Sequence, residues 1–269
     1  MASHQTSRKY NDIRVCRISP TFPNSAVPGG GQPGYYATAM LPYETILFTR
    51  RQLGQTWPLP RHARLIQIYY PDVELNRFRY RYQRLFALML KVSGYLIFSL
   101  RGLPSLVKFR PQIIHLHTAL PIVFGVIGKW VTGSKLVATI HGTELSWIVK
   151  SRFLRSMLNH SDAICYVSSS MRPKLEESLT VPIMRHTPSG VDLSIFTCGS
   201  GPRDTFILAV GNFRQEKGFD ILIKAFGSIN RKLPETKLIL VGDGPGRPKI
   251  EQAVRYYGLE KSVLFKPTF

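Results

Sequence analysis

Three histidines stand where strand-like runs end. His115 and His117 close the run in "QIIHLHTALP" two residues apart, a spacing that turns both toward one face of a strand. His141 ends "KLVATIH" in the same way and is followed by Gly142. Imidazoles gathered at one sheet edge suit hydrogen bonding to a polar ligand or proton handling near neutral pH. Histidines satisfied inside a core give the same pattern. A second chemistry is written in "AVGNFRQEKGFD", where Gly211 permits a tight turn and Arg214 and Lys217 precede a helix beginning near Gly218. Two cations beside free helix N–H groups make an anion site suited to a diphosphate. The bland reading pairs them with Glu216 on a solvated turn. Gly29, Gly30 and Gly31 in "PTFPNSAVPGGGQPGYY" let backbone N–H groups approach a phosphate or sugar, as no Cβ intervenes. A surface turn reads equally well. Gly242 follows the strand-like "TKLILV" and joins His141 and Gly211 as a candidate ligand contact.

Placing these groups at one edge requires a sheet. Apolar runs at 13–19, 45–49, 63–70, 112–117, 135–141 and 163–168 alternate with helical patterns at 76–100, 121–131 and 144–159. That order predicts a mostly parallel, doubly wound α/β sheet, whose ligands bind beyond the carboxyl ends of the strands. The runs read as buried on both faces. A Gly/Ser/Pro-rich stretch at 197–204 marks a boundary, giving domains 1–200 and 201–269, each opening with a strand and a glycine-bearing loop. The second domain holds only two or three strands, which predicts an open edge and an uncovered apolar face.

The charge is uneven. Residues 1–110 carry 16 basic and 4 acidic side chains out of a chain total of +20, so the front of the protein faces an anionic partner. Within it, 76–101 mixes Arg77, Arg79, Arg81, Arg84, Lys91 and Arg101 with "LFALML" and "VSGYLIFSL". The runs are too short to span a bilayer. They fit a core helix with a basic end, or an interfacial helix lying on anionic lipid. Nucleic acid is the competing anion, but no RNP sequence, zinc finger or other nucleic-acid motif is present. Cys16, Cys165 and Cys198 are scattered and form no metal-ligand cluster, so reduced thiols and no metal cofactor are expected. The polar N-terminus lacks a signal peptide's apolar core, which predicts a cytoplasmic protein.

"PSGVDLSIF", "AVGNFRQEKGFDILIKAF" and "LILVGDGPGRPKIEQAV", preceded by "IIHLHTALP" and "ATIHGTE", resemble the group 1 (family 4) retaining glycosyltransferases over most of 112–265. The resemblance implies a GT-B fold of two Rossmann-like domains with the active cleft between them. It implies a nucleotide-sugar donor held mainly by the C-terminal domain and a lipid-linked or polysaccharide acceptor of cell-envelope type on the N-terminal one. By the same likeness Lys217 holds the donor diphosphate, His117 meets the donor sugar at the reacting centre, and Gly30 or Gly31 lies near the phosphates. Catalysis then runs without a metal. The arginine usual after the turn glycine is Asn212 here, and Arg214 is its expected substitute. The family's E-x7-E segment lies beyond Phe269, so the resemblance also implies a C-terminally truncated chain. The full expectation is a retaining hexosyltransferase, peripheral at the inner face of the membrane. Two alternatives are a non-catalytic module that binds acceptor or membrane without turnover, and a sugar-nucleotide epimerase, which the lack of an acidic cluster disfavours.

Overall fold

A computed structural model describes residues 13–23, 32–51, 54–70, 80–190, 193 and 205–266. They fall into two compact units divided between Val191 and Asp192. In the first unit, β1 (Arg14–Ile18), β2 (Glu44–Arg50), β3 (Ala63–Ile68), β4 (Ile113–Leu116), β5 (Lys135–Ile140), β6 (Ala163–Tyr166) and β7 (Met184–His186) form one sheet. The order is β3-β2-β1-β4-β5-β6-β7 and every neighbouring pair is parallel. The winding direction therefore reverses between β1 and β4, the place where open α/β sheets leave a crevice for ligands.

The two faces of this sheet differ. Cys16, Ile18, Phe48, Ile114, Leu116, Leu136, Ala138, Ile140 and Ile164 are fully buried in a core with Phe98, Leu106 and Phe124. The alternate residues include Arg17, Thr45, Thr49, His115 and Thr139. The strands are buried on both faces as expected, but the second face mixes apolar Val15 and Leu47 with buried polar groups, of which Arg17, His115 and Thr139 bond to one another.

Helix α1 (Gln32–Met40) occupies residues that read as loop from their Gly and Pro content; α2 (Arg81–Phe109) runs past the expected end at Leu100. It continues through Pro104, which is exposed, so the carbonyl it strands is open to water; α2 stops at Arg110, at φ 50°, whose N–H reaches the Leu106 carbonyl at 3.0 Å. Helix α3 (Ile122–Thr132) follows β4. The expected single helix over 144–159 is two, α4 (Gly142–Lys150) and α5 (Arg152–Leu158), because the Ser151 hydroxyl accepts the Leu154 N–H at 3.2 Å and caps a new start. Helix α6 (Arg172–Ser178) precedes β7. Glycines let α2 and α3 approach closely. A Cβ on Gly102 would sit 2.9 Å from Phe124 Cζ, and one on Gly128 would sit 2.6 Å from Leu106 Cδ2.

The second unit is a parallel sheet of β8 (Phe206–Val210), β9 (Lys237–Val241) and β10 (Val263–Lys266) in the order β10-β9-β8. Helices α7 (Phe219–Lys232) and α8 (Arg247–Tyr256) bury Phe219, Ile223, Phe226, Ile250 and Val254 with Leu238 and Leu240. On β8 the alternate residues Phe206, Leu208 and Val210 are exposed, Val210 at 69%, as is Leu264 on β10. The uncovered apolar face expected from the sequence is present.

Candidate functional site

The carboxyl ends of β1 and β4 meet at the reversal point. The His117 N–H donates to the Ile18 carbonyl at 2.9 Å, so His117 stays locked to the central strand although β4 has ended. The first turn of α1 closes over it. A Cβ on Gly34 would lie 3.2 Å from Ser19 Cβ and 3.4 Å from His117 Cδ2, so a larger side chain there would press on the imidazole. Phe22, Tyr35 and Trp57 pack edge to face around this turn, with Tyr35 centred 5.8 Å from Phe22 and 5.2 Å from Trp57. Gly30 and Gly31 lie outside the described residues.

Beneath the edge is a polar row across three strands. Arg17 on β1 is 3% exposed, and its Nη1 lies 3.0 Å from His115 Nδ1 on β4. His115 Nε2 lies 2.8 Å from Thr139 Oγ1 on β5. The rings of His115 and His117 are 4.1 Å apart and inclined by 37°. His117 is 7% exposed and its Nε2, like Arg17 Nε, is buried without a hydrogen-bond partner. Burial, and then the Arg17 charge, push His115 down to about 3. Burial also drives His117 well below the usual imidazole range, with His115, Arg17 and His141 adding to the effect. Burial lowers Arg17 itself to about 10, so it remains a cation at neutral pH. The site therefore presents neutral imidazoles over a fixed positive charge.

His141 stands at the head of α4. Glu144, 5% exposed, accepts the His141 N–H at 3.1 Å with Oε2 and the Ala119 N–H at 2.9 Å with Oε1; the Thr118 hydroxyl donates to that same Oε1. One carboxylate thus holds the loop after β4 and the loop after β5. Arg17, Gly34, Thr139 and Glu144 escaped the sequence reading. An arginine interrupting an apolar strand and a glutamate at the third helical position were the available signals.

In the second unit, a single turn Gln215–Lys217 separates β8 from α7, and Gly218 enters α7 at φ 66°. Arg214 and Lys217 are exposed, and neither makes a side-chain hydrogen bond or ion pair with a described residue, Glu216 included. The paired-turn reading is thereby set aside. Two unneutralised cations stand beside the first-turn N–H groups of a 14-residue helix. The glycines have a different part. The Gly211 N–H donates to the Val241 carbonyl at 3.0 Å and the Phe213 N–H to the Asp243 carbonyl at 2.9 Å. A Cβ on Gly242, at φ 151°, would fall 2.0 Å from the Gly211 carbonyl oxygen. The "VGDGPG" loop is thus a backbone brace for the "VGNFR" loop. A hollow between α7 and α8, lined by Asp220, Lys224, Lys249 and Tyr256, includes none of the candidate residues. Among the described residues no group of three or more His, Cys, Asp or Glu could hold a metal ion.

A third feature is on α2. Tyr82, Phe86, Met89, Leu96, Leu100 and Val107 are 38–72% exposed and recur at steps of three and four, apart from two doubled steps, across the half-buried Ser93 and across Leu103 and Pro104. They form one stripe about 38 Å long at ~1.5 Å per residue. Residues 81–110 contain six basic and no acidic side chains. No described helix is long and apolar enough to cross a membrane.

Residues 39–195 match Glycosyltransferase Family 4, and residues 195–268 match Glycosyl transferases group 1. The GDP-mannose-dependent alpha-(1-6)-phosphatidylinositol monomannoside mannosyltransferase of Mycolicibacterium smegmatis is 26% identical over 57% of this chain and 44% of its own length. The N-acetyl-alpha-D-glucosaminyl L-malate synthase of Bacillus anthracis is 27% identical over 57% of this chain and 45% of its own. The chain spans less than half the length of these relatives. Among solved structures, the sucrose-phosphate synthase of Thermosynechococcus elongatus superposes with a TM-score of 0.69 at 20% identity, covering 96% of this chain and 71% of that one. Anabaena HepE in complex with UDP-glucose gives 0.65 at 14% identity, over 96% and 69%.

Proposed function

This chain belongs to the family 4, group 1 glycosyltransferases of GT-B fold, and from that premise we propose that it moves a sugar from a nucleotide-sugar donor to a lipid-linked or polysaccharide acceptor, with retention at the anomeric carbon. The observation that carries this reading is the pair of exposed cations Arg214 and Lys217 at the head of α7, unpaired among the described residues. In the proposed reaction the anomeric C–O bond to the diphosphate breaks and negative charge grows on the leaving oxygen. Arg214, Lys217 and the α7 N–H groups stabilise that charge, so no metal is required. The acceptor hydroxyl attacks the anomeric carbon from the same face, and its proton passes to the leaving phosphate oxygen. His117, held neutral, hydrogen bonds the donor sugar through its free Nε2. The mannosyltransferase relative names GDP-mannose and the HepE complex contains UDP-glucose, which supports a nucleoside-diphosphate donor.

The acceptor is proposed to be met at the cytoplasmic membrane surface, with the α2 stripe entering the acyl boundary and the cations of 81–110 meeting anionic headgroups. The stripe is apolar along one side of α2, and residues 81–110 carry one sign of charge, which matches an anionic bilayer better than an acidic protein. Release of nucleoside diphosphate from a panel of UDP-, GDP- and ADP-sugars, by the chain alone and with any coding sequence that continues it, tests the transferase reading. No release from any donor in either form ends it. Sedimentation with anionic and neutral vesicles tests the surface. Phe86→Asp with Leu100→Asp is expected to weaken anionic-vesicle binding about tenfold or more; equal binding to both vesicle types overturns it.

A further inference from the structure

We propose that Arg17 is a positioning residue for His117, acting through the imidazole of His115; this rests on the reading of His117 as the group that meets the donor sugar. The inference follows from what each atom is able to do. A guanidinium has only donors. The 3.0 Å contact from Arg17 Nη1 therefore makes His115 Nδ1 the acceptor and puts the ring's proton on Nε2. That N–H in turn faces Thr139 Oγ1 at 2.8 Å. His115 is fixed from both sides, in protonation and in ring plane, by partners on the two flanking strands β1 and β5. Its ring then forms the wall against which His117 lies at 4.1 Å, and Gly34 leaves room on the approach to His117 Cδ2.

Besides His115, the groups acting on the Arg17 charge are Tyr43 and Cys16. Arg17 is nearly fully buried, its Nε is unpartnered, and no carboxylate pairs with it among the described residues. A charge buried in this way costs stability unless something is gained from it. The groups facing His117 are His115 on β4, Arg17 on β1, Ser19 beyond β1 and His141 at the head of α4. Glu144, the nearby carboxylate, is occupied by Thr118, Ala119 and the His141 N–H. Every titratable group around the ring is therefore neutral or positive. His117 is left uncharged, with one nitrogen free to donate to or accept from a sugar hydroxyl.

The test is the nitrogen NMR spectrum of the imidazoles, followed from pH 8 to pH 4, in the wild-type chain and in Arg17→Met. Wild type is expected to show His115 with Nδ1 bare and Nε2 protonated throughout, and His117 titrating well below the ordinary imidazole range. Arg17→Met is expected to give His115 a mixed tautomer and to move the His117 midpoint upward. In turnover assays the same variant is expected to lower kcat about tenfold while the donor KM stays within about twofold. Unchanged imidazole spectra in Arg17→Met overturn the proposal whatever the turnover. A variant that fails to fold leaves the wild-type spectrum to decide: protonated Nδ1 on His115 overturns the relay, and protonated Nε2 sustains it. No turnover in the chain alone or in its extended form removes the transferase reading, and the spectra still decide whether Arg17 sets the two rings.

Discussion

Glu144 reaches Ala119 across two crossover loops, its Oε1 accepting the Ala119 N–H at 2.9 Å. With Thr118 on the same oxygen and His141 on the other, a single carboxylate sets the spacing between the loops that carry His117 and His141. Glu144→Ala leaves the buried Ala119 N–H and the half-buried Thr118 hydroxyl and His141 N–H without this acceptor. It is expected to destabilise the first unit by about 2–4 kcal/mol, as removal of charge-assisted bonds to buried groups does. Glu144→Gln, which still offers one acceptor oxygen, is expected to lose about half as much. Urea unfolding followed by the near-UV signal checks both, and a loss below that of a surface glutamate would refute the bridging role.

Acid stability follows from His115 and His117. Both rings are harder to protonate in the folded chain than in the unfolded one, so the unfolded chain binds protons first as pH falls. Their neutral forms cost nothing above pH ~6.5, and stability is lost between there and about 3, where folded His115 titrates. Each ring contributes a slope of about 1.4 kcal/mol per pH unit, so the pair is expected to give about 2–3 kcal/mol per unit between pH ~6 and ~4.5. Urea midpoints across that range measure it; His115→Phe is expected to halve the slope, and a flat profile would contradict the burial of both rings.

Gly128 packs α3 tightly against α2, where a Cβ would fall 2.6 Å from Leu106 Cδ2. Gly128→Val is expected to cost about 2–3 kcal/mol by overpacking against Leu106 and Ile114. Leu106→Ala opens a cavity of its own, yet the double variant is expected to be more stable than the sum of the two losses by about 1 kcal/mol or more. Additive losses in thermal unfolding would show that the helices part here without resistance.

Lys217 and Arg214 are expected to act together on the diphosphate. Lys217→Ala is expected to weaken binding of a nucleoside diphosphate about 10–100-fold, and Arg214→Ala about 5–20-fold, each loss shrinking at high salt. Calorimetric titration at two ionic strengths reads this directly. An unchanged affinity in Arg214→Ala would mean that the position of Asn212 has no long-side-chain substitute.

The sequence announced some of this and hid the rest for identifiable reasons. The strands were readable because buried parallel strands are short apolar runs, and the period of two placed His115 and His117 on one face, where their rings do meet. The cations at 214 and 217 were readable because they are local to a turn and a helix start. Arg17 was not, since its partner His115 is 98 residues away and only the strand order brings them side by side. Helix α1 was hidden by the Gly and Pro that begin it. Its Gly34 is a packing requirement set by His117, which no local propensity expresses. The break at Ser151 was missed because a capping serine inside a helical period is invisible to periodicity. The run of α2 past Leu100 was not legible either: Pro104 lies on the solvent side of the helix and interrupts little.

The glycine contacts between α2 and α3 have a mechanical meaning. Helix α3 begins five residues after His117, and its Gly128 and Phe124 are keyed into Leu106 and Gly102 of α2. The stripe that faces outward and the imidazole at the sheet edge are therefore linked through the packed seam of α2 and α3. A bilayer that seats α2 would by the same act set the height and heading of His117 above its surface. Acceptors whose reactive hydroxyl stands at that height would be selected by a ruler of protein, before any pocket recognises their chemistry.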